Sequence, residues 1–380
     1  MRRPRCKATA AWWLACVAGL WLLVFAPGLG ARVSGPCSDC HTMHNSQGAA
    51  PMAYGFTGSG YEAKADPNAN LLVTDCLGCH SALDGSTWRD ATTGAPIVLN
   101  TSEPDYGASS DGGATHQGLA AGNFYWAGQD DANGHNVMGS DASLSMAPGN
   151  TVGCGGDSCH SNLDRPYTGS GFLNGRAACS GCHMVSGSLS PSVTGWHHKD
   201  DSGPVVNSAE QGWYRFLAGH ETGDGYGVSG LEDDDWERTT SSSDHNEYLG
   251  SSGDKTDTQA MAREGNTMSG FCAGCHGNFH EQNTSGAGGS PWIRHPSDAV
   301  IPAGGEYAAF IVYDPLVPVA RAGLGGAASP TVNPGSDMVM CLSCHRAHAS
   351  PYYKMMRWDY RSGDLATSLS GCGVCHTRKN

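Results

Sequence analysis

The sequence predicts a chain that is mostly coil, with short helices and few short strands, elongated and wrapped around a core that the polypeptide does not itself supply. Three observations lead there. Leu, Ile, Val and Phe make up about 13% of residues 32–380, below the ~20% at which a highly charged chain usually stays disordered. Glycine, 54 of 380 residues, stands at about twice its usual ~7% share. A chain this poor in aliphatic side chains cannot bury enough of its own surface to offset the entropy of ordering. The third observation is that 14 of the 16 cysteines fall into seven pairs, six of them at one spacing.

The first element in chain order is a basic start, MRRPRCKATA, followed by the apolar run AWWLACVAGLWLLVF and then Pro27 and glycines. This pattern predicts a signal peptide over residues 1–31, cut near Ala31 and directing secretion. A retained anchor is the competing reading, but the apolar run of about 15 residues is short of the ~20 that a spanning helix needs. No later stretch is apolar enough to span a bilayer. Removal of 1–31 takes away Arg2, Arg3, Arg5 and Lys7 and no acid, moving the formal charge from −14 to −18. A chain so acidic is not expected to bind nucleic acid or anionic lipid.

Cys6 and Cys16 lie in that signal. The other 14 cysteines form seven pairs, each followed at once by histidine. They are Cys37, Cys40 and His41; Cys76, Cys79 and His80; Cys154, Cys159 and His160; Cys179, Cys182 and His183; Cys272, Cys275 and His276; Cys341, Cys344 and His345; and Cys372, Cys375 and His376. C-x-x-C-H is the attachment signature of c-type haem. Residues three and four apart share one face of a helical turn, so two thiols can add to the vinyl groups of one porphyrin while the next imidazole reaches its iron. Six copies are strict. CGGDSCH has four residues between its cysteines, so its loop must bulge. Disulfides do not require a histidine after every second cysteine, and zinc ribbons need no histidine in each pair. Seven haems would supply the missing core.

A six-coordinate iron also needs a ligand on its other face. Ten histidines remain outside the motifs: His44, His116, His135, His197, His198, His220, His245, His280, His295 and His348. Seven are required for every iron to be bis-histidine, which lowers the reduction potential relative to Met/His ligation. His44, His280 and His348 recur three or four residues after a motif histidine. One turn from a proximal ligand, none of them can reach the opposite face of the same ring, so each serves a neighbouring haem or is a plain helix-surface histidine, and recurrence beside three motifs favours the first. His197 and His198 are adjacent and diverge if extended. His116 and His245 are the first to be set aside as surface histidines.

Intervals between successive motifs are 39, 78, 25, 93, 69 and 31 residues, pairing motifs one with two, three with four and six with seven. The stretches DGSTWRDATTGAP, GQDDANGHN, SSSDHNEYLGSSGDKTD and GLGGAASPTVNPGSD read as loops. Short helices are expected at the motifs, and AAFIVYDPLVPVA is a strand candidate. LEDDDWE lacks the spacing of a calcium loop and reads as a solvated loop. The aromatic clusters NFYW, QGWYRF and SPYYKMMRWDY are expected against porphyrin faces and edges. No internal boundary divides 32–380, which reads as one heptahaem unit.

The segments CSDCHTMHNSQGA, LAAGNFYWAGQDDANGHNVMG, SPWIRHPSD and VMCLSCHRAHASPYYKMMRWDY together resemble the multihaem c-type cytochromes with doubled CXXCH motifs of dissimilatory metal-reducing bacteria. The resemblance implies a continuous stack of bis-histidine haems that carries electrons across the periplasm or outside the cell. It implies His135, His220 and His295 as distal ligands, and as partners other redox proteins, extracellular acceptors or, in filament-forming members, further copies of the chain joined head to tail. Two functional readings stand on the residues: an electron carrier with no substrate and no catalytic residue, and a reductase of a small nitrogen or sulfur oxyanion that keeps one open iron.

Overall fold

A computed structural model describes residues 41–43, 48, 50–56, 61–67, 71–74, 76–105, 119–135, 137, 179–183, 203–208, 211–217, 227–253, 266–273, 276 and 295–377. The chain divides into two units, Met1–Gly30 and Ala31–Asn380. The first lies outside the described residues, so all that follows concerns the second.

Coil and turn dominate, as expected. Six short α-helices are described: α1 Leu77–His80, α2 Tyr125–Gln129, α3 Cys179–Cys182, α4 Met268–Ala273, α5 Leu365–Ser368 and α6 Ser370–Cys375. The longest has six residues. Helices this short do not hold themselves together and depend on tertiary contacts. Among the described residues, none is long and apolar enough to cross a membrane.

The strands are short too. β1 (Ala53–Phe56) and β2 (Tyr61–Lys64) form an antiparallel hairpin, and β3 (Ser81–Ala82), directly after α1, pairs in parallel with β4 (Leu99–Asn100). The largest sheet joins β5 (Val205–Val206), β6 (Gly230–Leu231), β7 (Glu247–Leu249), β8 (Ala299–Val300), β9 (Ala320–Arg321) and β10 (Met338–Val339) in the order β5-β6-β7-β9-β10-β8. It is mixed: only β7 and β9 run parallel.

This sheet separates two apolar clusters. Met338 and Ala320 enter one, with Tyr214, Tyr248 and Met340; Val339 and Val319 enter the other, with Ile301, Phe310 and Trp358. That division follows from the alternation of side chains along a strand. Cys272 packs against the first cluster, and Cys344, Cys372 and Cys375 join the second, so the little protein core there is reaches directly to attachment cysteines.

Three expectations change. AAFIVYDPLVPVA is not a strand: its only ladder contacts are the bridge Val312↔Thr331 and, at its end, β9. Pro315 and Pro318 deny it the backbone donors a ladder needs. The stretch SSSDHNEYLGSSGDKTD contains β7, whose three residues sit centrally in the six-stranded sheet. LEDDDWE is not wholly a solvated loop. Asp233 and Glu237 are buried, the Asp233 carboxylate accepts the Glu237 N–H at 2.7 Å, and that of Glu237 accepts the Asn246 N–H at 2.9 Å. Asp233 and Glu237 are spent on backbone donors inside the fold, while Asp234 between them is exposed.

Candidate haem sites

Six of the seven cysteine–histidine motifs lie within the described residues at least in part, the first through His41 alone, and the other five are built alike. In each, the histidine N–H donates to the carbonyl of the first cysteine four residues earlier: His80 to Cys76 at 3.1 Å, His183 to Cys179 at 2.8 Å, His276 to Cys272 at 2.9 Å, His345 to Cys341 at 3.1 Å and His376 to Cys372 at 2.9 Å. That bond closes one helical turn. α1, α3 and α6 carry it, α4 leads into it, and at Cys341–Ser343 the turn is 3-10. The turn puts both sulfurs and the imidazole on one side, as attachment to a single porphyrin requires.

The second feature is the ring orientation. Nδ1 of His80 lies 2.9 Å from the Pro96 carbonyl, that of His183 2.8 Å from Arg215 O, and that of His345 2.8 Å from Lys354 O. Outside the motifs, His135 Nδ1 lies 2.8 Å from Ala347 O and His295 Nδ1 2.9 Å from Pro296 O. A carbonyl oxygen can only accept, so Nδ1 carries the proton and Nε2 keeps its lone pair. This is the outer-shell arrangement that orients metal-ligating histidines. His376 differs: its Nδ1 faces the Glu306 carboxylate at 3.2 Å, at an angle that makes an ion-pair contact and no regular hydrogen bond. His348 Nδ1 is buried and faces the Gly122 backbone without a well-formed bond, while Phe124 stacks on its ring at 4.4 Å.

The third feature is how the rings pair. His135 and His276 have centroids 6.1 Å apart, His183 and His348 5.9 Å, and His295 and His376 6.4 Å. Each pair joins one motif histidine to one non-motif histidine. Two imidazoles on opposite sides of one metal ion, each with a metal–nitrogen bond of about 2 Å, have centroids roughly 6.3 Å apart. The residues therefore fit a covalently held haem with an axial histidine on either face. His348 follows the motif histidine His345, yet its ring meets His183, from a motif more than 160 residues earlier.

Electrostatics agree with this use. Burial pushes the imidazoles of His80, His135, His183 and His345 below their ordinary value, and that of His348 down to about 3. All five are thus neutral, the form that ligates. Burial also pushes the thiol of Cys182 up to about 11 and those of Cys344 and Cys375 up to about 12. A zinc site needs thiolates, and these surroundings disfavour them. They are well suited to uncharged thioethers.

His245 is accounted for otherwise. It is buried, its Nδ1 lies 2.8 Å from Asn246 O, its Nε2 3.2 Å from both Ser242 O and Ser329 O, and it stacks on Tyr313 at 3.5 Å. Neither nitrogen is free for a metal, as expected of this residue, although it sits in the interior and not at the surface. His41 is described within a bridge to Leu72. Cys37, Cys40, His44, His116, Cys154, Cys159, His160, His197, His198, His220, Cys275 and His280 lie outside the described residues. Trp213 and Tyr214 of QGWYRF, and Trp358, are buried in the protein core. Sequence reasoning placed Phe124, in NFYW, among the aromatic residues near the haems but did not find Glu306 or Arg346. Of those two, Arg346, inside CHRAH, carried a signal, being an obligate cation between two histidines.

Comparison with known proteins gives the same reading. Residues 333–380 match the family described as the doubled CXXCH motif. The chain is 26% identical to C-type cytochrome OmcS of Geobacter sulfurreducens, over 90% of this chain and 84% of the relative. Two solved structures, the Outer Membrane Cytochrome S filament and the OmcS nanowires of that organism, align with 92% of this chain and 100% of theirs at 20% identity and a TM-score of 0.44. The chain thus carries the doubled CXXCH motif over its last 48 residues and is similar along most of its length to a C-type cytochrome of Geobacter sulfurreducens.

Proposed function

We propose that this protein is an electron carrier holding seven covalently bound, low-potential bis-histidine haems, secreted and working in extracellular electron transfer. The observation that carries the reading is the three histidine pairs at the spacing of axial ligands, each joining a motif to a distant segment. Bound haem iron supplies one-electron chemistry between its ferric and ferrous states.

The chain's own part is to attach and orient. The thioethers come from Cys37 and Cys40, Cys76 and Cys79, Cys154 and Cys159, Cys179 and Cys182, Cys272 and Cys275, Cys341 and Cys344, and Cys372 and Cys375. His41, His80, His160, His183, His276, His345 and His376 are the proximal ligands. His348 closes the iron of His183, His135 that of His276, and His295 that of His376. The irons of His41, His80, His160 and His345 then draw on His44, His197, His198, His220 and His280. Five candidates for four irons leave none open by necessity.

The solved structures to which the chain is similar are a filament and nanowires, and we propose that this chain also assembles with copies of itself. The test of the carrier reading is low-temperature EPR of the oxidised protein beside a haem count. Seven low-spin haems support it. A high-spin ferric signal from about one haem in seven would turn the reading to a reductase with an open iron.

A further inference from the structure

We propose that Arg346–Ser350 forms a strap, spaced by Gly134, that seats the distal imidazoles of two irons together, so that neither iron loses its sixth ligand alone. The proposal rests on the pairing of His135 with His276 and of His348 with His183 given above.

The strap lies between two other segments. On one side, the His348 N–H donates to Ala121 O at 2.7 Å, and Nη1 of the fully buried Arg346 donates to Leu119 O at 3.1 Å and Ala120 O at 2.9 Å. On the other, the His348 carbonyl accepts the His135 N–H at 2.9 Å, the Ala347 carbonyl lies 2.8 Å from His135 Nδ1, and the Ser350 N–H donates to Asn133 O at 3.0 Å. Ala349, with no accessible surface, is the centre: it bridges Gly122 in parallel and Gly134 antiparallel. His348 is therefore a ligand borne on the strap, and His135 is oriented by two strap carbonyls. The same stretch begins with Cys341, Cys344 and His345, so one short run attaches one haem and fixes ligands for two others.

The spacing on both sides is set by glycine. A Cβ on Gly134 would lie 2.5 Å from Ala349 Cβ, 2.6 Å from Ala127 Cβ and 2.8 Å from His348 O. Gly122, at φ +81°, would place one 1.8 Å from Ala349 O. None of these atoms is the loose end of a long side chain. Restoring an ordinary carbon–carbon contact of ~3.5 Å at Gly134 needs a movement of about 1 Å. That is half the length of a metal–nitrogen bond of about 2 Å. The displaced strap carries His348 away directly and withdraws the acceptors that hold His135.

The experiment is EPR of the full-length, haem-loaded Gly134→Ala variant, with covalent haem measured on the same sample. The expected result is unchanged haem content and a new high-spin ferric signal equal to two haems per chain, reduced when Ala349→Gly is added to relieve the contact. Gly128→Ala, where a Cβ meets nothing within 4 Å, is the control and stays as wild type. A signal from one haem, or none, overturns the strap. A high-spin signal already present in the wild type overturns the ligation reading beneath it, and is told apart by needing no substitution. If Gly134→Ala yields no loaded protein, Ala349→Ser, adding one oxygen at the same junction, is read by the same two-haem criterion.

Discussion

Replacing Arg321 by methionine tests how the sheet beneath the last two motifs is held. The guanidinium is 4% exposed and pairs with Glu247 at 3.1 Å and Asp337 at 2.7 Å, whose side chains are 2% and 3% exposed. It also donates to Ser329 O at 3.0 Å and to Thr331 O, and lies over the Tyr313 ring at 5.4 Å. Methionine keeps much of the volume and removes the charge. Each carboxylate then retains a backbone donor, Ser329 N–H for Glu247 and Asn333 N–H for Asp337, both at 2.8 Å, but no counter-ion. Breaking a buried ion pair from one side typically costs about 3–5 kcal/mol. The two surviving backbone donors place the expected loss towards the lower end, about 3 kcal/mol. The assay is guanidinium unfolding of the haem-loaded protein followed by far-UV circular dichroism, read as a shift in midpoint at unchanged slope. Adding Glu247→Gln and Asp337→Asn should return most of the loss, since no unneutralised charge is then buried. A loss below about 1 kcal/mol for Arg321→Met alone would refute the reasoning, because it would mean water or another cation reaches these carboxylates.

Three further outcomes are expected. His295→Ala removes the ring 6.4 Å from His376 and should turn about one haem in seven high-spin by EPR, the others staying low-spin. Glu306→Gln removes the negative charge 3.2 Å from His376 Nδ1; spectroelectrochemical titration should show one haem rising in potential, because a less polarised imidazole stabilises ferric iron less. Asp233 is buried beside Asp235 and Asp244, and burial first, then those neighbours, pushes its carboxyl up to about 8. Its folded pKa being raised, its contribution to stability is complete below the ordinary carboxylate range near ~4 and is lost as pH climbs towards the raised value. Asp233→Asn should flatten that decline in unfolding midpoints measured between pH 4 and 8.

The attachment turns are legible because covalent chemistry fixes their spacing: Cys372 to His376 can only be one turn, and the structure closes it with the expected backbone bond. The scarcity of helix is legible from composition for a related reason, since few apolar stripes exist to pack. What is not legible is anything set by long-range pairing. β7 hides in NEYL, inside a stretch of Ser, Asp and Gly, and is a strand only because β6 and β9 flank it. The alternation that marks a strand needs more than two or three residues. Distal ligation is half legible. The position of His348 excludes its own haem, but nothing local connects it to His183 rather than to another iron. The outer shell is hidden almost entirely, because most of its acceptors are carbonyl oxygens that every residue possesses.

That last property bears on how such a chain can change over time. Pro96, Ala347, Arg215, Lys354 and Pro296 hold imidazoles through main-chain oxygen, so substituting any of them alters a side chain and leaves the acceptor standing. Point mutation can rewrite the loops around these rings while their tilt and tautomer persist. At His376 the contact belongs to the side chain of Glu306, and there a single codon change reaches the iron's electronic surroundings. Variation among descendants of this sequence should therefore retune the C-terminal haem more readily than those whose imidazoles are held by the main chain.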